Sequence, residues 1–157
     1  MVESSGSEWP RAEQFQAVDA QTETRWRKFA TGPTVVFPQL LGLEIEDVRH
    51  GYCRMRMPLR QEIKQAAGLV HGGALASLLD CVLVPAIGVT VPQGSMYSTV
   101  DLHVQYLAAL TDDDAIGEGW IVRQGKSTVF GESEAFAASS GKLVAKAILT
   151  YNVRLPR

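Results

Sequence analysis

One carboxylate stands out by its surroundings. Asp80 is the only charged residue between Lys64 and Asp101, and it lies in the most apolar part of the chain, residues 69–91. An ionised carboxylate is costly to bury unless something pairs with it, and no Lys or Arg falls within a helical turn of this one. A carboxylate in such surroundings suits acid/base or nucleophilic chemistry. The plainer alternative is that Asp80 caps or ion-pairs with a neighbouring element.

A second feature precedes it. The run Gly68-Leu69-Val70-His71-Gly72-Gly73 ends in two glycines where a helix should begin. Glycines there leave backbone N–H groups unshielded at the positive end of the helix dipole, an arrangement able to hold a developing oxyanion. A turn with no chemical role uses the same residue types. Gly73 and Asp80 are seven helical steps apart, roughly 10 Å along the axis. One reacting carbonyl cannot touch both ends of one helix, so joint action requires two subunits.

The elements that would position these groups read as follows. Residues 72–88 form the central helix: Leu75, Leu78, Leu79, Val82, Leu83 and Ala86 repeat at helical spacing, and the flanking positions are also apolar or small. Pro85 removes the bond to the Cys81 carbonyl, which predicts a kink or an early end there. Phe15, Val18, Trp26 and Phe29 predict one amphipathic helix from Pro10 to Gly32-Pro33, after a polar leader over residues 1–9. Residues 34–42 are a connector containing Pro38, residues 43–58 a hairpin turning at His50-Gly51, and residues 59–67 a polar loop.

Residues 97–107 alternate, with Val100, Leu102, Val104 and Tyr106 on one face and Thr99, Asp101, His103 and Gln105 on the other. That polar face is a candidate lining for the subunit junction. Residues 114–123, 127–139 and 142–153 complete a four-strand meander. The fold class is α+β, an antiparallel sheet wrapped around one hydrophobic helix with an extra N-terminal helix, in one domain over residues 10–157.

Composition narrows the partners. The 157 residues are 46% hydrophobic and 20% charged with a net charge of −2, so no global positive field draws nucleic acid or an anionic membrane. No export signal or spanning helix is read, which suggests a cytoplasmic protein with Cys53 and Cys81 as buried free thiols. His50, His71 and His103 with the two cysteines lack metal-ligand spacing, and neither a G-x-S-x-G elbow nor a phosphate-binding glycine loop occurs.

GLVHGGALASLLD (68–80), STVDLHVQYL (98–107) and the strands from Arg123 to Tyr151 together resemble the PaaI/4HBT-type thioesterases of the hotdog superfamily. The resemblance covers roughly residues 40–153. It implies a hotdog fold, hydrolysis of a fatty or aromatic acyl-CoA with no cofactor beyond the CoA of the substrate, and a homodimer with a shared site that pairs into a homotetramer. It makes Asp80 the catalytic carboxylate, as nucleophile or general base, and the Gly72 N–H the polariser of the carbonyl. Thr99 and Gln65 would orient water and the acyl group, while His71, mainly structural, and Gly73 complete the motif. Arg123, Lys126 and Ser127 at a strand turn are candidate CoA phosphate donors. Pro85 departs from the pattern expected in that helix. The hydratases of this fold need Asp and His close together, unlike His71 and Asp80; a non-catalytic acyl-CoA sensor is the alternative from another class.

Overall fold

The computed structural model describes residues 10–29 and 31–156; the leader expected over residues 1–9 lies outside them. At its centre is helix α3, Gly72–Cys81, which buries Ala74, Leu75, Leu78, Leu79 and Cys81. A second short helix, α4 (Leu83–Gly88), continues it and buries Leu83, Pro85, Ala86 and Ile87. The helical bonding breaks at Val82, so the early end expected from Pro85 is observed, with the proline in the first turn of α4 where its missing N–H is least costly. Each buried Leu or Ile side chain on this pair contributes about 2 kcal/mol.

The sheet has six antiparallel strands: β1 (Glu44–Arg49), β2 (Tyr52–Met57), β3 (Met96–Tyr106), β4 (Ala115–Gln124), β5 (Thr128–Ala137) and β6 (Leu143–Arg154). Their order is β1-β2-β4-β5-β6-β3. The four late strands are therefore not one meander. Strands β4, β5 and β6 are, but β3 crosses to the far edge and pairs with β6. Alternation reports that a segment is a strand; it carries no information about which neighbour the strand chooses.

Missing side chains let the helices lie close to the sheet. A Cβ on Gly117 would fall 2.8 Å from Leu78 Cγ, on Gly119 2.7 Å from Val82 Cγ1, and on Gly131 2.7 Å from Leu83 Cδ1. The inner face of β4 and β5 is thus cut to fit the apolar helix.

The N-terminal region corrects the single long helix read from the sequence. A 3-10 turn at Ala12–Gln14 leads into an extended stretch that bridges Ala17 to Arg49, and only then does α1 run from Ala20 to Arg27. One local interaction and a set of long-range ones break the pattern. Asp19 caps α1 by accepting from the Thr22 N–H at 2.8 Å. Upstream, Arg11 ion-pairs with Glu118 and Glu134, and Phe15 stacks on Tyr52 with ring centroids 5.2 Å apart. Phe15 and Trp26 therefore pack on different parts of the protein. The connector carries one helical turn, α2 (Phe37–Leu40), and the polar loop a 3-10 turn that buries Ile63.

Strand β3 also departs from strict alternation. Thr99 pairs with Tyr151 and Asp101 with Thr150, so Val100 is an extra residue in the ladder. A bulge of this kind reverses the phase of every side chain beyond it. Thr99 consequently shares the helix-facing side with Leu102, Val104 and Tyr106, whose β6 partners Leu149, Ala147 and Ala145 are buried. His103 and Gln105 line a groove on the outer face with Trp120 and Lys146 instead. The polar face expected from Thr99 to Gln105 is split between two sides of the sheet.

Candidate functional site

Asp80 stands in the last turn of α3, beside β3 and β6. The Thr99 hydroxyl donates to its Oδ1 at 2.8 Å, and the Tyr151 hydroxyl donates to the same oxygen at 2.6 Å and to the Asp80 carbonyl at 2.8 Å. Oδ2 accepts no hydrogen bond from the described residues. The carboxylate is held by one oxygen and presents the other. Thr99 and Tyr151 meet it together because they face each other across the β3–β6 ladder.

Tyr151 is 2% exposed. Burial, then the charge of Asp80, push its hydroxyl well above the ordinary tyrosine value, so it remains a proton donor. The neighbouring Cys81 thiol is pushed up to about 12, first by burial and then by Asp80. This leaves it an inert part of the core.

Eight residues away, at the other end of α3, the helix start is arranged differently. His71 is the cap: its Nδ1 accepts the Gly73 N–H at 2.9 Å, and its carbonyl accepts the N–H groups of Ala74 and Leu75. An accepting Nδ1 means that the neutral ring carries its proton on Nε2. The Gly73 N–H is occupied by this cap, whereas the Gly72 N–H has no acceptor among the described residues. The Tyr106 hydroxyl donates to the Gly72 carbonyl at 2.8 Å, and its ring lies so near that a Cβ on Gly72 would be 3.1 Å from Tyr106 Cζ. Gly72 and Tyr106 line a 420 Å³ cleft with Gln65, Leu75 and Leu110.

The structure thus brings Thr99 to Asp80 and Gln65 to Gly72, but it separates the two pairs. From Gly72 to Asp80 the helix rises about 12 Å. Along β6 the separation is larger, because Tyr151 serves one end and Ala145, opposite Tyr106, the other. Arg123, Lys126 and Ser127 lie at the β4–β5 turn, on the carboxylate side of the sheet: Gln124 pairs with Val129, which pairs with Tyr151. Two strand spacings put that turn about 10 Å from Tyr151. Arg123 and Lys126 are exposed there, and the Ser127 carbonyl accepts the Val153 N–H at 2.8 Å.

Sequence reasoning missed Tyr151 and Tyr106, the two hydroxyls that grip the helix ends. Both sit on inward-facing strand positions and read as ordinary core. A signal existed: a buried tyrosine needs a partner for its hydroxyl, and Asp80 was the unpaired polar group on the helix it faces. Among the described residues no cluster of His, Cys, Asp or Glu is arranged to hold a metal, and no helix is long and apolar enough to cross a membrane.

Residues 67–144 match the thioesterase superfamily, a span that includes Gly72, Asp80 and Thr99. Human acyl-coenzyme A thioesterase 13 is 27% identical over 112 residues, covering 70% of this chain and 79% of that protein. A thioesterase from Haemophilus influenzae superposes with a TM-score of 0.78 at 16% identity, covering 90% of this chain and 94% of its own. The PaaI protein of the E. coli phenylacetic acid degradation operon superposes with a TM-score of 0.67 at 21% identity, covering 73% and 81%. Both superpositions describe the hotdog fold.

Proposed function

This chain belongs to the thioesterase superfamily and is a thioester hydrolase, and from that premise we propose that it cleaves fatty or aromatic acyl-CoA to the free acid and CoA, with Asp80 driving the reaction. The observation that carries the reading is the one-sided grip on Asp80. Thr99 and Tyr151 fix Oδ1, and Oδ2 is left to act.

As a base, Oδ2 takes a proton from water, the water oxygen attacks the thioester carbon, and the carbonyl oxygen gains the negative charge. Collapse of that intermediate breaks the C–S bond, and the thiolate takes up the proton. As a nucleophile, Oδ2 attacks the same carbon and expels the thiolate, leaving an anhydride that water then opens. In either course the Gly72 N–H at the positive end of α3 stabilises the oxyanion. Gln65 lines the same cleft and is suited to orient the acyl group or water.

The separation of Gly72 from Asp80 makes the working unit a homodimer. Strand β3 is a long edge, and Val100 and Tyr106 on it are 66% and 53% exposed. An edge of this kind is a template for another strand. Antiparallel pairing of two β3 strands centred on His103 sets Leu102 opposite Val104 of the second copy and the Thr99–Val100 bulge opposite its Tyr106. Asp80 of one copy then faces Gly72 of the other. Exposed Phe130 and Ile148 on the outer face favour further pairing into a homotetramer, and the β4–β5 turn is within reach for the CoA phosphates.

Thiol release from a panel of acyl-CoA esters, with Asp80→Asn beside the wild type, tests the reading. The expected result is turnover that falls about a thousand-fold in the variant, within the usual range for loss of an acid/base group, with fold and oligomer intact. Wild type that binds the esters without releasing thiol makes the protein an acyl-CoA sensor instead. Activity that survives in Asp80→Asn makes the carboxylate structural.

A further inference from the structure

Beyond Asp80, the helix pair carries one half-buried stripe, which starts beside β3 at Asp80 and ends against Trp26 and Tyr97 at Gly88. Asp80, Val84 and Gly88 follow each other at four-residue spacing and each is half-buried, with buried residues on both sides of Asp80 and Val84 and buried Ile87 before Gly88. The stripe ends at a 290 Å³ cavity between α1, the end of α4 and the start of β3. Trp26, Phe29 and Tyr97 supply its aromatic wall, with Arg25 and Lys28 exposed at the rim.

The end of the stripe is closed by a close approach. A Cβ on Gly88 would fall inside the Trp26 indole and 2.7 Å from the Tyr97 hydroxyl. Trp26 is also tilted against Phe29, with centroids 6.2 Å apart. The wall is therefore packed from two sides. Tyr97 lies two residues before Thr99 and pairs with Val153 as Thr99 pairs with Tyr151, so it faces the helices from the same side as Thr99.

We propose that this stripe is the acyl subsite and that Trp26 is its end wall, which makes medium-chain acyl-CoA esters the preferred substrate class. The proposal rests on hydrolysis at Asp80. From Asp80 to Gly88 the helical rise is about 12 Å. An extended chain advances about 1.2 Å per bond, so an acyl group anchored at Asp80 meets the indole after about ten carbons. Shorter chains leave apolar wall uncovered, and each methylene they lack costs about four-fold in binding. Longer chains must bend out or displace Trp26.

The test is thiol release and equilibrium binding across butyryl-, octanoyl-, decanoyl-, myristoyl- and palmitoyl-CoA for wild type, Trp26→Ala and Val84→Phe. Wild type is expected to peak at octanoyl or decanoyl and to fall at least ten-fold by palmitoyl. Trp26→Ala should raise palmitoyl relative to octanoyl at least ten-fold. Val84→Phe should move the peak to shorter chains by filling the middle of the stripe. Opposite shifts from the two variants separate a ruler from a general loss of structure. Equal rates for octanoyl and palmitoyl in wild type, or an unchanged profile in both variants, overturn the ruler while leaving the thioesterase intact. If no ester is turned over, the hydrolase reading fails by itself, and the length dependence of binding still decides for or against Trp26.

Discussion

The Tyr151 hydroxyl donates at 2.6 Å to the same Asp80 oxygen that Thr99 holds at 2.8 Å. Two donors on one oxygen define the direction in which the other oxygen points, and both come from strands rather than from the helix that carries the acid. Tyr151→Phe should keep the ring packing and lose only this restraint. A hydrogen bond to a charged group contributes about 2 kcal/mol, so kcat should fall by about ten-fold or more while KM for the acyl-CoA changes little. A double-mutant cycle with Thr99→Val should be non-additive, because both changes release one oxygen. Independent effects, or a change confined to KM, would separate Tyr151 from the chemistry.

The helix–sheet fit predicts a stability effect remote from the site. Gly119→Ala sets a methyl 2.7 Å from Val82 Cγ1 and 3.3 Å from the Val82 carbonyl carbon, where backbone cannot yield as a flexible side chain can. Overpacking of this kind costs about 1–3 kcal/mol. Urea unfolding should show that loss in midpoint. An unchanged midpoint would mean that α3 and α4 ride more loosely on the sheet than their contacts indicate.

What the sequence disclosed and what it hid follow from the range of the interactions. The buried face of the central helix, the strand character of the late segments and the break near Pro85 are local, and the helical and two-residue periods report them directly. The candidate site at Asp80 and Gly72 was legible because a lone charge in an apolar helix and bare glycines at its start are anomalies of type and place. The Val100 bulge was not, since a bulge in an alternating run leaves the pattern of residue types intact while reversing what it faces. Nor was the placement of β3 beside β6, which is decided by the crossover of the chain. The N-terminal periodicity misled because Phe15 is drawn to Tyr52 on the sheet's outer face and Trp26 to Gly88 at the end of α4. Tyr151 lay hidden in a strand where tyrosine is an ordinary core residue.

Alkaline pH should weaken the fold through its buried thiols. The Cys81 thiol is raised from an ordinary value of 9.0 to about 12, and burial also raises Cys53 well above it. An acid whose value is raised on folding stabilises the fold fully below its unfolded value and loses that contribution as pH rises towards the folded one. Unfolding free energy should therefore be flat in this respect below pH 9 and decline from pH 9 towards pH 12. Cys81→Ala should make the decline shallower. The same burial predicts that a thiol reagent at pH 8 labels neither cysteine until the protein is unfolded. Rapid labelling of the native protein would contradict the packing around α3.

The proposed sharing of the site between two β3 edges gives the most demanding prediction. His103→Glu opposes two carboxylates at the centre of the proposed strand pairing, where like charges destabilise the ladder. It should shift the protein to monomer in sedimentation and cut thiol release by at least about a hundred-fold, the scale of losing an oxyanion donor. Asp80 itself would be untouched. Complementation removes the ambiguity of a damaged fold. Asp80→Asn and Gly72→Ala homodimers should each be nearly inactive, the second because its methyl meets Tyr106. After subunit exchange at equal concentrations, half the dimers are mixed, and each mixed dimer holds one site with an intact Asp80 from one copy and an intact Gly72 from the other. Activity should recover to about a quarter of wild type, as two-fold symmetry requires. No recovery despite proven exchange, or full activity in a verified monomer, would place the whole reaction within one chain and leave the 12 Å along α3 without a role.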